Sequence, residues 1–217
     1  MTIVHPQHWG WRTNHNLKSN CLELYRNDNL IFSDISFELS EGQHLLITGA
    51  NGSGKTSLLR VICGLTVPTA GTVLWDELAT NNLDCTYYNH MAYIGHKNAL
   101  IPELTAKENL EYTLEMNRSV DNTTSTLEGF GLNEFLHQYA EKLSNGQMRK
   151  IALSRILLSN KILWILDEPL ANIDVAGIQY LQTEMELHLE SGGMLITTSN
   201  LNNQSPKSHL EINLDHR

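Results

Sequence analysis

One short stretch limits the fold more than any other. His44–Thr48 (HLLIT) is an apolar run of the length and type of a buried parallel strand. It leads into residues 49–57, GANGSGKTS. After that turn, Leu58, Val61, Ile62 and Leu65 recur at helical spacing. Gly49, Gly54, Lys55 and Thr56 fit the pattern G-x-x-x-x-G-K-[ST]. Each residue type has a chemical reason. Glycine lets the backbone turn tightly enough for successive N–H groups to point at one anion. The helix that follows turns its positive end to the same place. Lys55 adds a mobile positive charge for the β- and γ-phosphates, and the small hard hydroxyl of Thr56 suits Mg²⁺. A chance glycine-rich turn would not need a strand before it and a helix after it. The nucleotide contacts expected here are Gly49, Ala50, Asn51, Gly52, Ser53, Gly54, Lys55, Thr56 and Ser57.

A second run, residues 162–168 (ILWILDE), is apolar until two acids end it. In an open α/β sheet, ligands sit beyond the carboxyl ends of the strands. Asp167 is the candidate metal-side carboxylate, acting on Mg²⁺ through water, and Glu168 is the candidate to orient and activate an attacking water. Alone, the run reads equally well as a strand stopping at surface acids. The phosphate loop favours the functional reading.

Other segments alternate in the same way. Residues 22–39 read as strand around an Asn27–Asn29 turn, and 72–75, 91–95, 161–166 and 194–198 as further strands. Thr105 with Glu108, and Ser144 with Gln147, are capping-box pairs that open helices. Asp174 caps a helix that carries Ile178, Leu181 and Met185 on one face. Helical patches fall between Leu132 and Ala140. The alternation predicts a parallel sheet covered on both faces, with a mostly helical lobe inserted over about 97–158. Residues 1–20 are polar and aperiodic, and read as a flexible arm. Its His5, His8 and His15 have no nearby carboxylate or thiol in sequence to complete a metal site.

The chain has 217 residues, which suits one domain with an inserted lobe, and a net charge of −9, the opposite of a general nucleic-acid binder. No apolar run reaches the ~20 residues of a membrane span, so a membrane role needs a separate subunit. The N-terminus has no secretory core, and three scattered cysteines (Cys21, Cys63, Cys85) fit a reducing compartment.

Residues 143–147, LSNGQ, lie between the phosphate loop and the acidic strand. With this third motif in order, the chain resembles the nucleotide-binding subunits of ABC transporters over about residues 22–200. That resemblance implies a P-loop NTPase fold of the ABC ATPase type: an α/β, RecA-like core with an antiparallel β edge and the helical lobe. It implies one nucleotide-binding domain over 21–217, with core about 21–96 and 159–217. Ser144, Gly146 and Gln147 would serve the γ-phosphate bound by a second copy, so that two head-to-tail subunits sandwich two ATP molecules. Alone, LSNGQ would read as an ordinary capped helix.

Lesser positions follow from the same resemblance. Tyr25 stands where the family often stacks an aromatic ring on adenine, and reads equally as a strand tyrosine. Asp174 stands where an aspartate faces the partner subunit, and is also the helix cap. His96 replaces the family's usual glutamine after the strand at 91–95. Ser199 replaces the histidine that contacts the γ-phosphate, and a hydroxyl cannot carry an imidazolium charge. His188 and His209 are candidates to compensate.

The phrases GTVLW (71–75), YIGHKNALIPELTAKENLEY (93–112), KILWILDEPLANIDVAGI (161–178) and GGMLITTSN (192–200) are similar to the branch serving bacterial cytochrome c maturation, which has histidine at the position of His96. This implies an ATPase that drives a haem-export or haem-handling step. It would sit on the cytoplasmic face of the inner membrane and pair with integral membrane subunits of the CcmB and CcmC kind. No CxxCH or axial-ligand pair suggests that the chain itself holds haem. Two other readings stay open: an ATP-gated assembly subunit with little turnover because of Ser199, and a soluble ATPase acting on ribosomes or DNA, which the acidic charge disfavours.

Overall fold

The computed structural model describes residues 14–82, 86–117, 123–199 and 208–215. The strands sort by how many faces they bury. β1 (Asn16–Arg26), β2 (Asn29–Ser40), β4 (Ala70–Trp75) and β5 (Leu78–Ala79) form an antiparallel sheet in the order β2-β1-β4-β5. Their burial alternates along the chain, one face to the core and one to solvent. β3 (His44–Thr48), β6 (Met91–Ile94), β7 (Leu163–Leu166), β8 (Met194–Ser199) and β9 (Leu210–Asn213) form a second sheet in the order β6-β7-β8-β3-β9, with every pairing parallel. The central strands β7 and β8 are buried at every position.

That double burial builds two cores. Leu163, Ile165, Met194 and Ile196 join the core shared with the antiparallel sheet and helix α1 (Lys55–Ile62). Tyr87, from the short helix α2 (Thr86–His90), lies in the same core. Trp164, Leu166 and Leu195 alternate onto the other face. There they meet α3 (Ala106–Asn117), α4 (Thr123–Gly129), α5 (Asn145–Leu157) and α6 (Val175–Glu190). Both predicted capping boxes form, Thr105 with Glu108 and Ser144 with Gln147, and Asp174 caps α6 through the Gly177 N–H.

Four expectations need correction. The arm does not extend to residue 20. β1 starts at Asn16, because Leu17 is fully buried between its pairing partners Leu39 and Trp75. His15 has a carboxylate beside it in space, Asp76, at 2.7 Å from Nδ1, while His5 and His8 lie outside the described residues. Leu65 is not on the buried face of α1. The helix ends at Ile62, Gly64 turns left-handed, and Leu65 is exposed. Between Leu132 and Ala140 the chain makes 3-10 turns at 133–135 and 140–142 rather than a helix.

Candidate functional site

Because the second sheet is wholly parallel, its five strands deliver their carboxyl ends to one edge. Thr48 leads to Gly49, Ile94 to Gly95 and His96, Leu166 to Asp167 and Glu168, Thr198 to Ser199, and Asn213 to Asp215. The topology therefore gathers residues that are far apart in sequence.

The phosphate loop is shaped by its neighbours. Gly54 caps α1 at φ 103, a left-handed conformation that disfavours any side chain. A Cβ there would also come within 2.8 Å of Ile31 on β2, so the antiparallel sheet presses on the loop. Lys55 is buried and donates to the carbonyls of Gly49 (2.6 Å) and Ala50 (3.0 Å), lying across the loop. The Ser53 hydroxyl is shielded from solvent with no hydrogen-bond partner, an oxygen placed for a ligand. Gly49, Ala50, Asn51 and Gly52 form the turn before it, and Thr56 and Ser57 open the helix.

The acids are tied to this loop by hydroxyls. Thr56 Oγ1 donates to Asp167 Oδ2 at 2.7 Å. Thr198 Oγ1 donates to Asp167 Oδ1 at 2.7 Å and accepts the Glu168 N–H at 2.8 Å. Asp167 is 2% exposed and Thr198 1%. Glu168 adopts φ 46, a left-handed backbone that costs a non-glycine residue of order 1–3 kcal/mol and clusters at functional sites. Arg149 of α5 braces the same point from behind. It donates to the carbonyls of Asp167 (2.6 Å), Glu168 (3.2 Å) and Gly95 (2.9 Å). Burial pushes its guanidinium below the usual value, and the nearby Asp167 and Glu168 carboxylates oppose that shift. Thr56 and Asp167 are two hard oxygen donors in contact, a donor set that fits Mg²⁺.

Other candidates fall in different places. Ser199 is buried at the same edge and pairs in register with Thr48. Tyr25 is exposed at the tip of the antiparallel sheet, paired with Leu30 next to the loop-contacting Ile31. His96 lines a cavity beside the edge. Ser144 is exposed at the start of α5, where its Oγ accepts the Gln147 N–H (3.2 Å) and its N–H bonds the Gln147 side chain (2.8 Å). That cap leaves the Ser144 O–H free to donate outward. Gly146 is glycine for a local reason: a Cβ would come within 2.8 Å of the Asn172 carbonyl. Asp174 caps α6 and pairs with Lys150 at 2.9 Å, which holds its carboxyl below the usual range.

The two compensating histidines are at the wrong edge. His188 bonds Ile162 and Met194, and His209 bonds His44, all at the amino ends of the strands. From Met194 to Ser199 an extended strand covers about 17 Å. Sequence reasoning also missed Asp215, which accepts the Ala50 N–H at 2.6 Å, and the whole of β9 that carries it. The alternation of Leu210, Ile212 and Leu214 was the available signal.

Comparison with known proteins agrees with this geometry. The family model described as ABC transporter matches residues 32–171. The chain is 42% identical to the cytochrome c biogenesis ATP-binding export protein CcmA of Methylococcus capsulatus, over 82% of this chain and 87% of that one. It is 41% identical to the CcmA of Pasteurella multocida, over 87% and 90%. Among solved structures, an ATP-binding subunit of an ABC transporter superposes with a TM-score of 0.76 at 25% identity, over 84% of this chain and 78% of that one. A dimeric bacterial ABC transporter cassette gives 0.71 at 25% identity, over 84% and 87%. A phosphate loop, an acidic strand end and a capped signature helix on this scaffold thus have one family in common: the chain belongs to the ABC transporter ATP-binding subunits, in the branch of the cytochrome c biogenesis export proteins.

Proposed function

We propose that the chain hydrolyses ATP to drive a haem-export or haem-handling step in cytochrome c maturation. It works at the cytoplasmic face of the inner membrane with integral subunits of the CcmB and CcmC kind, and closes head-to-tail on a second copy. The observation that carries the catalytic half is the hydroxyl-bridged array Thr56–Asp167–Thr198–Glu168 beside the phosphate loop. The relatives' name supports the cytochrome c half, and the dimeric cassette supports closure.

The chemistry follows from the residues. Loop N–H groups and the start of α1 hold the β- and γ-phosphates. Lys55 moves from the Gly49 and Ala50 carbonyls to the phosphate oxygens. Mg²⁺, held on the Thr56 and Asp167 side, would neutralise charge on the β- and γ-phosphates. Glu168 orients a water and accepts its proton. The water oxygen bonds to the γ-phosphorus as the bond to the bridging oxygen breaks, leaving ADP and phosphate. The Ser144 hydroxyl and the α5 N-terminus of the second copy donate to the same γ-phosphate. Tyr25 stacks on adenine, and His96 passes the motion to the membrane partner.

The test uses two variants. Lys55→Ala should weaken binding of magnesium-ATP in calorimetry at least tenfold. Glu168→Gln should keep binding, lose about 10²–10⁴-fold in turnover and accumulate the closed dimer. Unchanged turnover in Glu168→Gln would remove its assigned role.

Ser199 favours a second reading, an ATP-gated assembly subunit with little turnover. Its hydroxyl lies at the carboxyl edge beside Thr48, and no histidine reaches that edge on β8. Purified complex would then bind ATP and release almost no phosphate. Rapid phosphate release by the wild-type complex eliminates this reading.

A further inference from the structure

A second concentration of charge lies off the nucleotide edge. A cavity of about 480 Å³ opens between α1, the end of β6 with the loop after it, and α5. Its wall carries Arg60, Lys97, Arg155 and Lys161, with His96 beside them, and no carboxylate. These cations sit together in a chain of net charge −9. Among the described residues, no carboxylate lies within ion-pair distance of Arg60, Lys97 or Lys161. Arg60 and Lys161 spend a nitrogen on neutral oxygens instead, the Thr66 hydroxyl at 3.4 Å and the Asn89 carbonyl at 2.9 Å. Arg155 donates to the Ala99 carbonyl at 2.7 Å. Burial pushes the Arg155 and Lys161 side chains below their usual values. Beneath the cations, Ile94 and Ile156 form a buried apolar floor.

The nucleotide does not account for these charges. Arg60 lies one turn along α1 from Thr56, about 6 Å further from the phosphate loop. Lys161 precedes β7, and Asp167 ends it; the chain between them spans about 20 Å when extended. A ligand at the phosphate loop leaves Lys161 untouched. A free inorganic anion would use the cations and leave the isoleucine floor uncovered. An acidic segment with one apolar side chain uses both.

We propose that this cavity receives an acidic, amphipathic polypeptide segment of the integral membrane partner, with its carboxylates on Arg60, Lys97 and Lys161 and an apolar side chain on the Ile94–Ile156 floor. The proposal rests on the reading that the chain works with membrane subunits, and it names the chemistry of the contact. The net negative charge elsewhere repels such a segment, so the cavity also selects its docking site. Its walls connect to both nucleotide-facing ends: α1 begins at the phosphate loop and α5 begins at the signature.

The experiment uses the full chain co-expressed with the integral membrane subunits. A zero-length carbodiimide joins a lysine amine to a carboxylate in contact, and mass spectrometry locates the new amide. Lys97 or Lys161 is expected to link to an Asp or Glu in one cytosolic segment of a membrane subunit. The double variant Lys97→Glu with Lys161→Glu should retain the membrane subunits at least tenfold less at low salt, with magnesium-ATP binding and thermal unfolding unchanged. Cross-links confined to other lysines, or undiminished retention by the double variant, overturn the proposal. If the wild-type chain alone binds phosphatidylglycerol vesicles and the double variant does not, the surface belongs to lipid and the proposal falls. A wild-type chain that binds magnesium-ATP but retains no membrane subunit overturns it too. Failure to bind ATP at all would instead sink the catalytic reading.

Discussion

The two edges of the parallel sheet have the same apolar strands behind them and opposite polar chemistry. At the amino edge, buried polar groups are satisfied within the chain. His188 lies flat on Trp164, with ring centroids 3.7 Å apart, and its Nε2 bonds the Ile162 carbonyl. His44 is fully buried, with its Nε2 against the Thr197 hydroxyl. At the carboxyl edge, Thr56 and Thr198 bridge two acids, Glu168 is held left-handed, Lys55 folds over its own loop, and the Ser53 hydroxyl has no partner. The amino edge is finished as it stands, whereas the carboxyl edge is built for a group the chain does not supply. Strand direction alone decides which edge receives the loops, so a parallel sheet separates structural polarity from functional polarity.

Thr198 gives the most severe way to break that contrast. Its hydroxyl serves Asp167 and the Glu168 N–H together, so Thr198→Val leaves two buried groups unpaired, each at about 1–3 kcal/mol. Turnover should fall about 10²-fold or more, with the KM for ATP changed much less, because the phosphate loop is untouched. Thr198→Ser keeps the hydroxyl and should restore most of the rate. If valine and serine lose activity equally, Thr198 is only packing.

The amino edge should respond to pH and not to nucleotide. Burial pushes the His188 imidazole down to about 4, from an ordinary value of 6.5. The folded state therefore binds fewer protons than the unfolded chain between those pH values. Stability from this group is complete above pH 6.5 and is lost as pH falls towards 4, by about 3 kcal/mol at ~1.36 kcal/mol per pH unit. Urea midpoints measured across that window for wild type and His188→Gln should diverge in slope, with the variant flatter. Parallel curves would mean that the ring is not buried in its neutral form.

The same contrast explains what the sequence revealed. Local patterns, the HLLIT–GANGSGKTS unit, the capping boxes and ILWILDE, were legible because strand length, turn chemistry and helix starts are set by neighbours in sequence. Which acid meets which hydroxyl was not legible, because Thr198 and Arg149 reach Asp167 only after the parallel strands align. Asp215 was hidden for the same reason: β9 is a four-residue edge strand whose partner, β3, lies at the other end of the chain. His188 and His209 seemed near Ser199 in sequence, yet a parallel strand carries its two ends to opposite edges of the sheet.

The mildest perturbation tests position 199 itself. Ser199 is 3% exposed at the carboxyl edge, in register with Thr48. A serine there can offer one O–H, whereas histidine can offer a charged N–H to developing negative charge on the γ-phosphate. A hydrogen bond to a charged group is worth about 1.5–3 kcal/mol against about 1 for a neutral one. Ser199→His should therefore raise turnover several-fold, less than the difference implies because the larger ring must be fitted into a buried site. The comparison needs the matched change at the other edge. His188→Gln should leave turnover at pH 7.5 unchanged, since no part of that ring reaches the carboxyl edge. An equal response from both variants would dissolve the division between the edges, and a rise confined to position 199 would locate the rate limit there.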